Sequence, residues 1–306
     1  MNSKRIVIAG GSGFIGHALA QEFSAQNFEV VILTRTPRAR ADNVREVEWD
    51  GKHIGEWIQN LDGAEAVINL TGKNINCPHT PENLDAIIAS RVDSVVAIAA
   101  ACEHVKSPPR VWVQASAVGF YGDTENNFAT EISPVGNDAL AKICGQWEDA
   151  FNHAAAPKTR KVALRIGFVL GRDGGALPVL SKLTKWFLGG AVGSGRQYIS
   201  WIHLADLVQM FVSVVKRDKL IGTFNAVAPD AVRNTDFMRE LRRALHRPWC
   251  PPAPEFAVRF GSWLMKSEAS LALISQRCTP EKFLEVEFQF QFPQLRGALE
   301  NLCREK

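Results

Sequence analysis

Along the first half of the chain, short runs of consecutive apolar residues alternate with longer stretches in which apolar positions recur every three or four residues. The runs predict strands at Arg5 to Ala9, Glu29 to Thr34, Val44 to Trp49, Ala66 to Leu70, Val111 to Ala115 and Lys161 to Phe168. Their apolar content is mostly unbroken, as strands covered on both faces require, so the sheet they build is parallel. Between them the helical period returns. Ile15, Leu19 and Phe23 line one helix, and Leu140, Ile143, Trp147 and Phe151 line another that begins near Gly136. Strands alternating with helices give an α/β fold, a Rossmann-type doubly wound parallel sheet.

Beyond Gly171 the rhythm changes. A helix-like segment leads into Gly189-Gly190-Ala191-Val192-Gly193-Ser194-Gly195-Arg196, whose glycine density predicts a mobile loop or a close approach of backbones and makes 172–205 a lid or substrate segment. Leu204, Leu207, Val208, Phe211 and Val215 then mark a helix, and Thr223 to Val227 a strand that rejoins the first domain, at 1–230. Pro248, Pro251, Pro252 and Pro254 mark a linker, and 247–306 reads as a small, mainly helical C-terminal domain with little room for a core of its own.

Composition narrows the partners. The formal charge of +3, from 35 basic and 32 acidic residues, creates no basic field, which argues against nucleic acid and membrane and leaves a small anionic ligand open. Cys77, Cys102, Cys144, Cys250, Cys278 and Cys303 form no C-x-x-C pair, so they read as buried thiols and no metal site is expected. Met1-Asn2-Ser3-Lys4-Arg5 precedes too short an apolar run for a signal peptide, and no stretch reaches the roughly 18 apolar residues of a membrane helix. A cytoplasmic location follows by default, and a homodimer stays open.

The first strand runs into Gly10-Gly11-Ser12-Gly13-Phe14-Ile15-Gly16, which opens the first helix. In that context Gly10 permits the turn, Gly13 admits a pyrophosphate to the helix N-terminus and Gly16 lets helix and strand pack closely: a dinucleotide site. At the end of the second strand an NAD binder places an acid for the ribose 2′-hydroxyl, but here the chain reads Leu33-Thr34-Arg35-Thr36-Pro37. Arg35 offers a planar donor to a 2′-phosphate, with Arg38 and Arg40 following, so NADP(H) is the expected cofactor. Asp50 reads as an adenine-side contact or as a strand-end cap.

Adding Ala66-Val67-Ile68-Asn69-Leu70-Thr71-Gly72, Ser116 to Gly122 and Trp201-Ile202-His203-Leu204-Ala205-Asp206, the chain resembles the extended short-chain dehydrogenase/reductases. Ser90-Arg91-Val92, Trp147-Glu148, Arg165 to Gly171, Asp173-Gly174-Gly175-Ala176, Gly193 to Gln197 and Thr279-Pro280-Glu281-Lys282 look like the YfcH-like epimerase-family proteins, over essentially the whole chain. The resemblance implies cofactor contacts at Thr34, Arg35, Leu70, Thr71, Gly72 and Arg91 and near Val169. Taken by itself, Arg91 suits a phosphate or a surface ion pair.

Hydride transfer at a carbinol carbon needs a proton moved at its oxygen, which the superfamily does with a Tyr and a Lys one helical turn later. That pair is missing: Tyr121 is followed four residues on by Glu125 and Tyr198 by Ile202, while Lys142 stands without its tyrosine. Ser116 takes the place of the superfamily's strand-end hydroxyl. Tyr121 reads as a substitute acid or as a packing residue, and Lys142 as a ribose contact or an exposed helix lysine. Tyr198, Trp201 and His203 adjoin the glycine-rich segment and line a substrate pocket on one reading, with Arg196 and Gln197 binding an anionic or polyol group. On the other, His203 and Asp206 cap a helix. Two functions compete: an oxidoreductase or epimerase acting on a small polar substrate such as a sugar nucleotide, and a silent module that senses NADP(H) and signals to a protein partner.

Overall fold

The structure is a computed structural model whose described residues are 4–40, 42, 44–264 and 268–304, without the side chains of Ser262 and Leu264. Met1 to Ser3 of the N-terminal lead-in, and 265–267 and 305–306 of the C-terminal extension, lie outside the described residues.

The strands β1 (Arg5–Ala9), β2 (Glu29–Thr34), β3 (Val44–Glu48), β4 (Ala66–Asn69), β5 (Val111–Ala117) and β6 (Arg160–Ile166) appear in the expected order. Gly167 breaks the sixth run: β7 (Phe168–Leu170) leaves the sheet to pair with β9 (Trp201–His203), and β8 (Tyr198–Ile199) precedes it. The sheet is completed by β10 (Gly222–Ala226), and β11 (Val232–Arg233) pairs antiparallel with β8. All neighbours in the seven-stranded sheet are parallel, in the order β10-β6-β5-β4-β1-β2-β3. The direction of build reverses between β1 and β4, which puts a ligand-binding crevice at their C-terminal ends.

The helices α1 (Phe14–Ala25), α2 (Pro81–His104), α3 (Ala139–His153) and α5 (Leu204–Lys216) pack on the sheet's core, whereas α4 (Leu177–Lys185) and α6 (Asn234–Ala244) share a second, smaller core. Ile6, Ile8, Val30, Ile32, Val67, Val113 and Leu164 are fully buried, so the unbroken apolar runs do pack on both faces. The helix expected near Gly136 starts at Ala139, where the Asp138 side chain caps the N–H of Ala141 at 2.9 Å.

The C-terminal region contributes α7 (Glu255–Leu264), α8 (Ser270–Leu273), α9 (Glu281–Glu285) and α10 (Leu295–Cys303). It has no core of its own among the described residues: Phe283 and Phe288 join the main core, and Leu295, Ala298 and Leu299 pack with Phe237 and Leu241 of α6. The glycines of 189–195 make the close backbone approaches expected of them. A Cβ on Gly190 would lie 1.8 Å from the Pro251 carbonyl oxygen, and Gly193 N–H donates to Ala253 O at 2.9 Å. The cysteine expectation holds in part: Cys102, Cys144, Cys250 and Cys278 are buried, whereas Cys77 and Cys303 are half-buried.

Candidate functional site

Gly10 has φ +70° and donates to Leu33 O at 3.0 Å, and a Cβ there would stand 2.9 Å from the Thr71 backbone. A Cβ on Gly16 would meet Gly11 O at 2.3 Å, so α1 is pressed onto the loop itself. Gly13, the N-cap of α1, has nothing within 4 Å of its would-be Cβ. The first-turn N–H groups of Phe14, Ile15 and Gly16 therefore face an open approach, with no side-chain cap or acid to satisfy them. The loop is walled by Gly171 and Gly174, where a Cβ would enter the Phe14 ring at 2.2 and 2.4 Å, and by Gly175, with φ +71°. Only glycine lets this second turn wrap Phe14.

At the end of β2, Thr34 Oγ1 donates to Ser12 Oγ at 3.3 Å, and exposed Arg35 makes no hydrogen bond or ion pair with any described residue. The neighbouring arginines differ. Arg40 is held by Asp42 at 2.6 Å and Glu46 at 3.4 Å, and the Asp42 hydrogen bond raises its pKa further. Asp50 accepts from the N–H groups of Lys52 and His53 at 2.9 Å and meets His53 Nδ1 at 2.5 Å, bonds that hold its carboxyl down at about 2. It caps the turn, as the strand-end alternative has it, with the carboxyl still about half exposed.

At the end of β4, buried Asn69 accepts from Thr71 N–H at 3.0 Å and donates to Ser94 Oγ and Gln114 Oε1 at 3.0 and 3.1 Å, which fixes the Leu70-Thr71-Gly72 turn. The Thr71 hydroxyl is buried without a hydrogen-bond partner among the described residues. Beside it Arg91 packs on Gly72, donates to Lys73 O and Ile87 O at 3.0 Å, and lies 4.9 Å over the Trp147 ring. No carboxylate among the described residues pairs with it, and burial lowers its pKa. The surface ion pair that the sequence allowed is therefore not formed. Val169 lies across the cleft wall on β7, its carbonyl 3.2 Å from the would-be Cβ of Gly175.

Of the residues expected to move protons, Ser116 is the penultimate residue of β5, at its C-terminal end as expected, and its hydroxyl donates to Glu148 at 2.6 Å. Glu148 is held by Arg165 through two bonds of 2.8 Å. Arg165 also donates to the Tyr121 hydroxyl at 2.8 Å, which in turn donates to Asn225 Oδ1 at 2.7 Å. Tyr121 is 5% exposed, and burial, only partly offset by Arg165, drives its pKa upward. The hydroxyl is thus committed on both sides, which corrects its reading as a substitute acid. Tyr121→Phe is expected to leave NADPH affinity unchanged while lowering unfolding free energy by about 1–3 kcal/mol, because Asn225 and Arg165 lose a buried partner; paired titration and urea melts check this.

The Lys142 side chain is exposed on α3 and makes no hydrogen bond or ion pair to a described residue. His203 is the N-cap of α5, accepting from Ala205 N–H at 3.0 Å and stacked 3.9 Å from Phe292. Burial lowers its pKa. Asp206 accepts from Gln291 and Phe292 N–H at 2.7 and 3.0 Å. Both residues tie α5 to the C-terminal region, which corrects the substrate reading of His203.

Tyr198 is different. Its ring is flanked by Arg233 at 4.8 Å and Arg277 at 4.4 Å, and Arg277 also covers the exposed Phe128 ring at 3.6 Å. Arg233 donates to Arg196 O at 3.1 Å and Arg277 to Asn126 O at 2.8 Å, but none of the three arginines has a carboxylate partner among the described residues. Arg233, Arg277 and Phe128 were missed in the sequence because three distant segments bring them together and no local motif marks any of them. Gln197, grouped with Arg196 beforehand, is buried, its amide donating to Val192 O and Ala272 O at 3.0 Å. No cluster of metal-ligating side chains occurs among the described residues.

Residues 6–226 match the model of the NAD dependent epimerase/dehydratase family. The chain belongs to that family. Residues 253–302 of this epimerase-family protein match a domain of unknown function, DUF1731. It is 35% identical over 301 residues to the chloroplastic epimerase family protein SDR39U1 homolog of Arabidopsis thaliana, covering 96% of this chain and 85% of that one. It is 32% identical to the epimerase family protein SA0724 of Staphylococcus aureus, covering 99% and 100%. Among solved structures, human epimerase family protein SDR39U1 (isoform 2) with NADPH superposes with a TM-score of 0.87 at 30% identity, covering 98% and 99%. A nucleoside-diphosphate sugar epimerase from Corynebacterium glutamicum gives 0.78 at 29% identity, covering 98% of this chain and 58% of that one.

Proposed function

We propose that this chain binds NADP(H) and acts as an oxidoreductase or epimerase of the extended short-chain type on a small anionic substrate, of which a sugar nucleotide is one example. The observation that carries this reading is Arg35, the guanidinium left without a partner at the end of β2 while Arg40 is consumed by Asp42 and Glu46. The NADPH bound to the human relative and the substrate named for the Corynebacterium one support it. The remaining residues fit the same cofactor. The open turn at Gly13 suits a pyrophosphate, and the unpartnered Thr71 hydroxyl and the uncompensated Arg91 suit its polar and anionic groups.

When bound, the nicotinamide supplies or accepts a hydride. The chain's own part is to orient and to move a proton. Arg196, Arg233 and Arg277 hold the anionic end of the substrate, and Tyr198, stacked between two of them, is the hydroxyl left for proton transfer once Tyr121 is committed to Asn225. Titration with NADPH and NADH tests the cofactor: Arg35→Ala should weaken NADPH by about tenfold and leave NADH unchanged, as the loss of one exposed charge-assisted contact implies. Equal affinity for the two cofactors in the unaltered protein would overturn the reading.

The committed Tyr121 hydroxyl and the absent Tyr-Lys pair favour a second reading, a silent NADP(H)-sensing module that acts through a protein partner. Hydride transfer to any carbonyl substrate, lost in Tyr198→Phe, would exclude it.

A further inference from the structure

A second cavity, of about 380 Å³, opens between α4, the end of α6 and α10, within the size range of small-molecule sites. Leu177 and Leu302 form its apolar wall, Ser181 offers a hydroxyl, and Arg172 and Arg304 place positive charge around it. No acidic side chain among the described residues lines it. Arg172 is oriented by donating to Asn301 O at 2.8 Å, which leaves most of its fork of N–H donors available.

The position of this cavity matters as much as its lining. Gly171 belongs to it and is also the residue whose would-be Cβ enters the Phe14 ring at 2.2 Å. Phe14 opens α1, the helix whose N-terminus faces the pyrophosphate approach. One turn of backbone therefore separates the cavity from the dinucleotide loop, and close-packed contacts of this kind transmit displacement rather than absorb it.

We propose that this cavity binds an amphipathic organic anion, a carboxylate or phosphate head on a short apolar tail, and that its occupation strengthens NADP(H) binding by bracing Gly171 against Phe14. The binding half stands on the cavity alone; the coupling half rests on the NADP(H) reading above.

Calorimetric titration of the full chain with octanoate tests both halves. Octanoate should bind, with octanol and inorganic phosphate each at least about tenfold weaker, because neither carries both head and tail. Arg172→Glu and Arg304→Glu change exposed side chains and should each weaken octanoate by about tenfold with an unaltered circular dichroism spectrum. Saturating octanoate should tighten NADPH by about fivefold, and NADPH should tighten octanoate by the same factor, as linkage demands. Octanol binding as well as octanoate, or a charge reversal without effect, would overturn the site. An NADPH affinity indifferent to octanoate would overturn the coupling. Should the chain bind no NADPH, the cofactor reading fails, while the octanoate series still decides the site.

Discussion

Replacing Arg165 with Met is expected to lower the unfolding free energy by about 3–5 kcal/mol, the usual cost of stripping one partner from a buried ion pair. Arg165 and Glu148 are 5% and 4% exposed, and the two bonds between them are 2.8 Å long. Burial works against the charge on Arg165, but the Glu148 hydrogen bonds and charge outweigh it and raise its pKa. Methionine fills much of the same volume and repays none of that. Glu148 would be left buried with only the Ser116 hydroxyl, and Tyr121 would lose the donor that completes its bonding. Urea denaturation monitored by tryptophan fluorescence reads the loss directly. The double variant Arg165→Met/Glu148→Leu should recover a substantial part of it, because no unpaired charge then remains. A single-variant loss below about 1 kcal/mol would mean that water reaches the pair and screens it like an exposed one.

That network also shows where sequence reading stops. Strand order and the parallel sheet were legible because period and composition are local, and β1 to β6 fall within a few residues of their expected ends. Gly10, Gly13 and Gly16 were legible because a turn, an open approach and a tight contact each demand glycine within a single loop. Tyr121 was not, since its state depends on Arg165, Asn225 and Glu148, which come from three separate elements. His203 failed for a related reason. Its helix-capping role was readable, but Phe292, the ring that covers it, lies 89 residues further on and carries no motif. The break at Gly167 was missed because Ile166 before it and Phe168, Val169 and Leu170 after it carry the apolar pattern across the glycine. Only the structure shows that a Cβ there would meet Ser200 O at 2.5 Å, the contact that turns β7 toward β9.

For cofactor binding the largest loss is expected from Arg91→Met, which should raise the Kd for NADPH by about 10- to 100-fold, as removal of a partly desolvated charge-assisted contact implies. Lys142→Ala should change it far less, since the Lys142 side chain is exposed on α3 and its charge is solvated whether or not an anion is bound. The contrast follows from environment. Arg91 is half-buried, packed on Gly72 and the Trp147 ring, and held by two carbonyls that orient its guanidinium without neutralising it. An ion pair would have satisfied the charge internally, and its absence leaves a cation whose desolvation is offset only when an anion arrives. Arg35 carries the same charge in full solvent, so salt separates the two. The effect of Arg35→Ala should shrink markedly between 0.05 and 0.5 M NaCl, whereas that of Arg91→Met should persist, because mobile ions screen exposed charges far better than enclosed ones. Equal salt sensitivity in the two variants would place Arg91 outside the cofactor's reach and leave the Thr71 turn without its anion.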